Sequence, residues 1–389
     1  MLACPYCYNR FAAREIAFRC TGLPGPDGQT CGVERDENLV RWLGNVTPLP
    51  PAFAADGRKG VAKCPKCHNE TAYHICPVCH SRLPVHFGMV DSRLIAMIGA
   101  KQSGKTVFMT VLIHELKHRV GRNLDAAIMG SDEETRKSFE RDYDDRLYQQ
   151  HALPETTRPV AASSTRQPLV FRMTMRRKRL FSQRCERQTI LSFFDTAGED
   201  LSSEESVELN VRYLSSAHAI ILLLDPLQMA GARSQALENT ILPVAGASSD
   251  RPFNVLSRVT DLLRSSLTRD PSQRIQTPIA VAFSKLDSLA HTFPRDSPLT
   301  RRPEPRPEFD TQDSLAVHHQ VQALLDDWDG PQIDQLMRHH YARYRYFGIS
   351  ALGDLPLDAV TVSQIRPHRV HDPFLWLLSE FGTIPATRG

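Results

Sequence analysis

The chain has 389 residues, 41% of them hydrophobic and 23% charged, with a formal net charge of +3. Such a balance fits a globular protein of two or three domains, and so small a charge makes no strong case for nucleic acid or an anionic membrane as partner. The longest apolar run, Ala219–Leu224, is far too short to cross a bilayer; the start, MLACPYCYNRF, has no signal-peptide architecture; and eight of nine cysteines fall before residue 80, which points to metal sites in a reducing cytoplasm rather than to disulfides.

Residues 1–90 read as a zinc-ribbon region. Cys4 and Cys7, Cys64 and Cys67, and Cys76 and Cys79 are three C-P-x-C knuckles, each placing two sulfurs on one tight turn within reach of one ion. Taken in order, Cys4, Cys7, Cys20 and Cys31 make one four-sulfur set. Cys64, Cys67, Cys76 and Cys79 make a second that closes as a tetrahedral site. Two closed sets predict two zinc ions, which supply folding energy to a segment of low apolar content. Spacing leaves open whether these are two small ribbons or one interleaved unit. His68, His74 and His80 are spare, since four thiolates already complete a site. The segment 44–60, rich in Pro, Gly and Ala, connects the two sets.

From residue 91 the pattern changes. LIAMIGAKQSGKT (94–106) is an apolar run followed by a glycine-bounded turn: Gly99, four residues, then Gly104-Lys105-Thr106. This is a phosphate-binding P-loop. The glycines let backbone N–H groups approach a polyphosphate, Lys105 offers positive charge to the β and γ phosphates, and Thr106 offers a hydroxyl to Mg²⁺. Residues 105–119 have helical periodicity, so the turn ends on a helix N-terminus.

Residues 131–150 are mixed in charge and read as helical; 151–168 read as a loop. Two strand-like runs follow, at 168–176 and 187–196, with the basic insert RRKRLFSQR (176–184) between them. A run of this kind is ordinarily a solvated hairpin. The second strand runs into Asp195-Thr196-Ala197-Gly198. A carboxylate at the end of a strand beside the P-loop strand can hold Mg²⁺ through water, and Gly198 lets a backbone N–H meet a γ-phosphate. A buried strand (218–226) ends in Asp225, helical patterns occupy 233–275, and the strand 278–287 ends in Ser284-Lys285-Leu286-Asp287. There the Asp287 carboxylate can accept two hydrogen bonds from a guanine edge, which adenine does not offer in that arrangement, while the Lys285 stem packs over the ring. Residues 294–310 read as an exposed Pro-rich insert and 313–343 as helix. After the strand 343–350, Ser350-Ala351-Leu352 form a turn where a backbone N–H can meet the guanine O6. A last helix is expected at 372–381.

The order GxxxxGKT, DxxG, SKxD, SAL, each at a strand end, resembles the Ras-like GTPase superfamily of P-loop proteins over roughly residues 91–385. The resemblance implies an α/β fold with a mostly parallel central sheet flanked by helices, so that residues 91–389 form a nucleotide-binding domain after the zinc-ribbon region 1–90. It implies phosphate and Mg²⁺ contacts from Gly99, Lys101, Ser103, Gly104, Lys105 and Thr106. It further implies γ-phosphate sensing from Asp195 and Gly198, and base contacts from Ser284, Lys285, Asp287, Ser350 and Ala351. Among Thr156, Thr157 and Thr165, Thr157 is the choice for the switch threonine on Mg²⁺. The cysteine-rich prefix and long inserts look like bacterial double-GTPase domain proteins, which as a group are associated with conflict or defence gene neighbourhoods.

Two departures bear on activity. The position after DxxG, where the superfamily carries a water-orienting Gln, is Glu199, which a γ-phosphate repels unless it is protonated or metal-paired. Ser284 stands where the superfamily has Asn, so an amide that braces the site is lost. The expectation is a cytoplasmic GTP- and Mg²⁺-dependent switch, slow in hydrolysis, that meets a protein partner through its zinc module or switch loops. The alternatives are a nucleotide-dependent binding module with little or no turnover, or an ATP-dependent protein that applies its ribbons to nucleic acid.

Overall fold

The structure, a computed structural model, describes residues 1–44, 46–100, 102–154, 168–178, 184–193, 204–243, 251–268, 270, 272–304, 306–358 and 360–387. Its centre is a seven-stranded sheet of β1 (Ser92–Gly99), β2 (Ala126–Gly130), β3 (Leu169–Lys178), β4 (Arg184–Phe193), β5 (Ala219–Leu224), β6 (Ile279–Phe283) and β7 (Tyr344–Gly348). The order across the sheet is β7-β6-β5-β1-β4-β3-β2. β4, β1, β5, β6 and β7 are parallel neighbours, whereas β3 runs against both β4 and β2. This is the expected α/β architecture with a mostly parallel sheet.

The central strands read as continuous apolar runs because both faces are covered. All six residues of β5 and all five of β6 are buried. On one face lie α1 (Lys105–Glu115) and α6 (Asp372–Glu380), whose Val111, Leu112, Phe374 and Leu377 meet Ile95, Met97, Ile221 and Phe347. On the other lie α2 (Glu204–Ser216), α3 (Pro252–Leu267) and α4 (Thr311–Asp327). In α3, Pro252 opens the first turn, and Val255, Leu256, Val259 and Leu263 recur at the spacing that puts one stripe on the sheet. The N-terminal cysteine-rich region packs on this second face. Tyr8 and Phe11 share a core with Leu94, Ala96, Ile190 and Tyr213. No helix among the described residues is long and apolar enough to cross a membrane.

Three expectations need correction. The short strand β2 was not anticipated, because AAIMG carries too little β-branched character to stand out from its flanks. The helical stretch at 313–343 is two helices, α4 and α5 (Pro331–His340), broken at Gly330-Pro331, where proline can begin a helix but not continue one. The Pro-rich segment 294–310 is only partly an exposed insert: Leu299 and Phe309 are buried, and the Phe309 N–H donates to the Pro385 carbonyl at 2.9 Å.

Candidate functional site

Register brings the ends of four strands level. Gly99 of β1 lies opposite Leu223 of β5, Leu224 opposite Phe283 of β6, and Phe283 opposite Gly348 of β7. The turns that follow these residues therefore share the carboxyl end of the sheet, the edge at which open α/β sheets bind ligands. The phosphate-loop residues, Asp225, the Ser284–Asp287 turn and the Ser350 turn all begin there.

The first turn leads from β1 into α1. Gly104 adopts the left-handed conformation with φ +79°, and no described residue lies within 4 Å of where a Cβ would stand. Gly99 is needed for a different reason: a Cβ there would sit 3.0 Å from the Leu223 carbonyl and 2.6 Å from Ser103 Oγ. Ser103 is fully buried with its hydroxyl against the strand end and without a partner among the described residues, and its N–H donates to the Ala100 carbonyl at 3.2 Å. Lys105 and Thr106 open α1, putting one cation and one hydroxyl at its N-terminus.

The second turn is tied to the first by side chains. Ser284 Oγ donates to the Ser103 carbonyl at 2.8 Å, with the Leu224 carbonyl at 3.2 Å. The hydroxyl thus supplies the brace that the missing asparagine amide was expected to leave unfilled. Lys285 is held at φ 55°, ψ 32° and its Nζ donates to Asp225 Oδ2 at 2.6 Å. Asp225 is wholly buried, and its other oxygen accepts the Leu227 N–H at 2.9 Å. A buried carboxylate with both oxygens engaged is a fixed anchor for the lysine stem. Sequence reasoning passed over this role of Asp225; the available signal was an acid ending an all-apolar strand immediately before proline.

The third turn closes on the second. Ser350 Oγ donates to Asp287 Oδ1 at 2.5 Å and accepts the Gly353 N–H at 2.8 Å. Burial pushes the Asp287 carboxyl above its ordinary value, against the opposing effect of the Ser350 hydrogen bond. The turn backbone is pinned by a two-way bond between Ser350 and His368, at 3.0 and 2.8 Å. Among the described residues no acceptor takes the Ala351 N–H. Asp287 and the Ala351 N–H thus stand on two turns that the Ser350 hydroxyl joins, an acceptor and a donor of the kinds that a guanine edge requires. Lys101, Thr157, Asp195, Gly198 and Glu199 lie outside the described residues. The strand that leads to Asp195 does lie beside the P-loop strand, with Ser192 opposite Ala96.

The cysteines converge in two groups, but not in sequence order. Cys4, Cys7, Cys76 and Cys79 form one, and Cys20, Cys31, Cys64 and Cys67 the other. The expectation that Cys64–Cys67 and Cys76–Cys79 close on each other is therefore wrong: the second group is nested in sequence between the two halves of the first. The reason is local. Each knuckle is the same tight turn, in which the first Cys N–H bonds five residues ahead and its carbonyl accepts from the fourth residue on. That residue, Tyr8, His68 or His80, has φ near 60° in every copy (61°, 59° and 57°). A knuckle so self-contained can be paired with any other. The three-stranded sheet of Ala17–Arg19, Ala52–Ala54 and His74–Ile75 then decides which ones meet.

Within the groups, Sγ···Sγ distances are 3.9 Å for Cys4–Cys79, 3.8 Å for Cys7–Cys76, 3.6 Å for Cys20–Cys67 and 3.7 Å for Cys31–Cys64. A tetrahedron with metal–sulfur bonds of about 2.3 Å has edges of about 3.8 Å, whereas a disulfide is about 2.05 Å. The donor sets thus fit a tetrahedral thiophilic ion. Burial pushes the Cys4 thiol well above its ordinary range, so a thiolate there needs a compensating cation. Two of the three spare histidines are engaged elsewhere: His80 Nδ1 meets Asp36 at 2.8 Å and His74 Nε2 meets the Lys59 carbonyl at 3.2 Å.

The first cysteine group also touches the sheet. Tyr8, four residues after Cys4, places its hydroxyl 3.0 Å from Ser192 Oγ on β4, and Ser192 donates to the Pro5 carbonyl at 2.9 Å. Ser216 donates to the Tyr8 carbonyl at 2.7 Å, and Tyr8 packs on Tyr213 with ring centroids 4.7 Å apart.

Three comparisons with known proteins bear on this geometry. The model of the Double-GTPase 2 family matches residues 93–328, more than half of the chain. A Mycolicibacterium smegmatis protein described as "Putative ESX-1 scaffolding and assembly protein SaeC" is 26% identical over 415 residues, which cover 99% of this chain and 100% of that one. The solved structure of the Arl6 BBS3 small GTPase from Trypanosoma brucei, with bound nucleotide analogue GppNp, is 12% identical with a TM-score of 0.28, over 75% of this chain and 98% of that one.

Proposed function

This chain belongs to the Double-GTPase 2 family, and from that premise we propose that it binds GTP and GDP with Mg²⁺ at the carboxyl end of the sheet and hydrolyses GTP slowly as a switch. The single observation that carries the reading is the linked set of turns: Ser284 to the phosphate loop, Lys285 to Asp225, and Asp287 to Ser350. In this reading the backbone around Gly99 and Gly104 cradles the phosphates, together with Lys101 and Ser103. Lys105 neutralises charge that develops as water attacks the γ-phosphorus in line and GDP leaves. Bound Mg²⁺ adds further neutralisation of the β and γ oxygens; Thr106, Asp195 and Thr157 are the residues assigned to it. Gly198 senses the γ-phosphate, and Glu199 slows turnover by repelling it. Asp287 and the Ala351 N–H read the guanine edge.

Residues 1–90 act in this proposal as a docking module held by two zinc ions, and residues 91–389 as the nucleotide-binding unit. The relative described as a scaffolding and assembly protein supports a protein partner. Glu199, in place of the water-orienting Gln, favours a second reading, in which nucleotide binding alone sets the docking state and hydrolysis is negligible. Single-turnover phosphate release, with Lys105→Ala as control, separates the two. The switch reading expects GTP cleavage that the variant abolishes. Wild-type release no faster than the variant's, with tight GTP binding retained, supports the second reading and rejects the first.

A further inference from the structure

The basic insert that follows β3 and the outer strand β2 take no part in the site described above. β2 is the last strand of the sheet and, among the described residues, pairs as a strand with β3 alone, so its other side offers backbone groups to an incoming chain. Along β3 the side chains alternate. Phe171, Met173 and Met175 are buried against α1 and the segment after it, while Arg172, Thr174 and Arg176 face the opposite side. Register sets Ala127 opposite Thr174 and Met129 opposite Arg172, and Met129 is 48% exposed.

A groove of about 490 Å³ wraps this edge. Lys117 and Arg122 stand on the α1 side, Arg172 and Arg176 on the other, and Ala126 and Ala127 lie between them. Asp125 is the only carboxylate among the described residues that line it. The four cations have no acidic partner among the described residues: Arg172 Nη1 meets the Val85 carbonyl at 3.4 Å, and Lys117 Nζ sits 4.7 Å over the Phe139 ring.

We propose that this groove is a docking site for an acidic, extended segment of a partner protein, which adds a strand along β2 and sets its carboxylates on both pairs of cations. An added strand projects successive side chains to opposite faces, and the cations stand on both faces of the edge. The two small residues between them let a backbone approach. Single-stranded nucleic acid is held by aromatic stacking platforms, and among the described residues that line the groove there is no Phe, Tyr or Trp. A bilayer surface is flat, whereas this site bends around a strand. The proposal is independent of the nucleotide reading.

The test is fluorescence anisotropy of the full chain with a labelled ten-residue peptide of alternating Val and Glu. The expected result is saturable binding, weakened about tenfold in the Arg122→Ser/Arg176→Ser double variant, since each lost surface pair is worth up to about 1 kcal/mol. Replacing every second residue of the peptide by Pro, at the same charge, removes strand pairing and should abolish binding. Unchanged affinity in the double variant, or equal binding of the Pro peptide, overturns the proposal. So does tighter binding of oligo-dT or of phosphatidylserine vesicles with the same dependence on Arg122 and Arg176. Both arginines are exposed, and an unchanged thermal midpoint in the double variant shows that the loss is not one of folding.

Discussion

The cysteine-rich region and the carboxyl end of the sheet both gather residues that are far apart in the chain, and they do it by opposite means. In the first, three near-identical knuckles are complete as local turns, and the fold only chooses which of them meet. In the second, no turn is complete alone. Ser284 closes the phosphate loop, Asp225 anchors Lys285, and Ser350 holds Asp287, each bond running between different strand ends. The difference teaches where the vulnerability of each region lies. The knuckle region should fail at a bond to metal, and the sheet end at a bond between turns.

The largest expected effect follows from the nested pairing. Cys4→Ser and Cys76→Ser should each remove one bound ion per chain and destabilise the N-terminal region severely, because structural zinc contributes on the order of 10 kcal/mol to such units. Metal analysis of the double variant Cys4→Ser/Cys76→Ser should show the same single loss as either alone, whereas Cys64→Ser/Cys76→Ser should lose both ions. The reverse pattern would restore the pairing in sequence order.

Next in size is Lys285→Ala. It strands the fully buried Asp225 carboxylate, at a cost of about 3 kcal/mol that a thermal or denaturant melt will register. Lys285→Ala combined with Asp225→Ala should recover much of that stability without recovering nucleotide affinity. A double variant as unstable as the single one would mean that the pair is not what holds the turn.

Smaller again is Ser284→Ala, which leaves the Ser103 carbonyl without its side-chain donor. About 1 kcal/mol is expected, seen as roughly fivefold weaker GDP binding with little change in melting. Equal affinity in the two proteins would show that the brace does not transmit to the phosphate loop.

The smallest effect is in pH. Burial raises the Asp287 carboxyl above its ordinary value, so the fold holds that proton more tightly than the unfolded chain does, and this contribution to stability is present at low pH and is lost as pH rises through the folded value. Guanine binding needs the carboxylate. GDP affinity should therefore fall on acidification at a pH above the ordinary aspartate range, and Asp287→Asn should bind weakly with no such fall.

The same contrast governs what the sequence could disclose. At the sheet end the motif order sufficed to expect which turns share a cleft, because strand ends of a parallel sheet are level by construction. Asp225 escaped notice because its role depends on the reach of a lysine at the end of the neighbouring strand, sixty residues on, which no local pattern encodes. In the cysteine region the residue types announced metal sites plainly, yet any four thiolates that converge will serve. The nesting was therefore invisible until the small sheet of Ala17–Arg19 and its neighbours was seen to set the partners. The edge strand β2 was missed for want of β-branched residues, and with it the groove beside the basic insert.

The measurement that tests the account most directly is equilibrium binding of GDP and ADP to the wild-type chain and to Asp287→Ala. The account predicts strong preference for GDP in the wild type and loss of that preference in the variant, with both nucleotides then bound weakly through the phosphates. Equal binding of GDP and ADP by the wild type, or a preference for GDP that survives in Asp287→Ala, would contradict it.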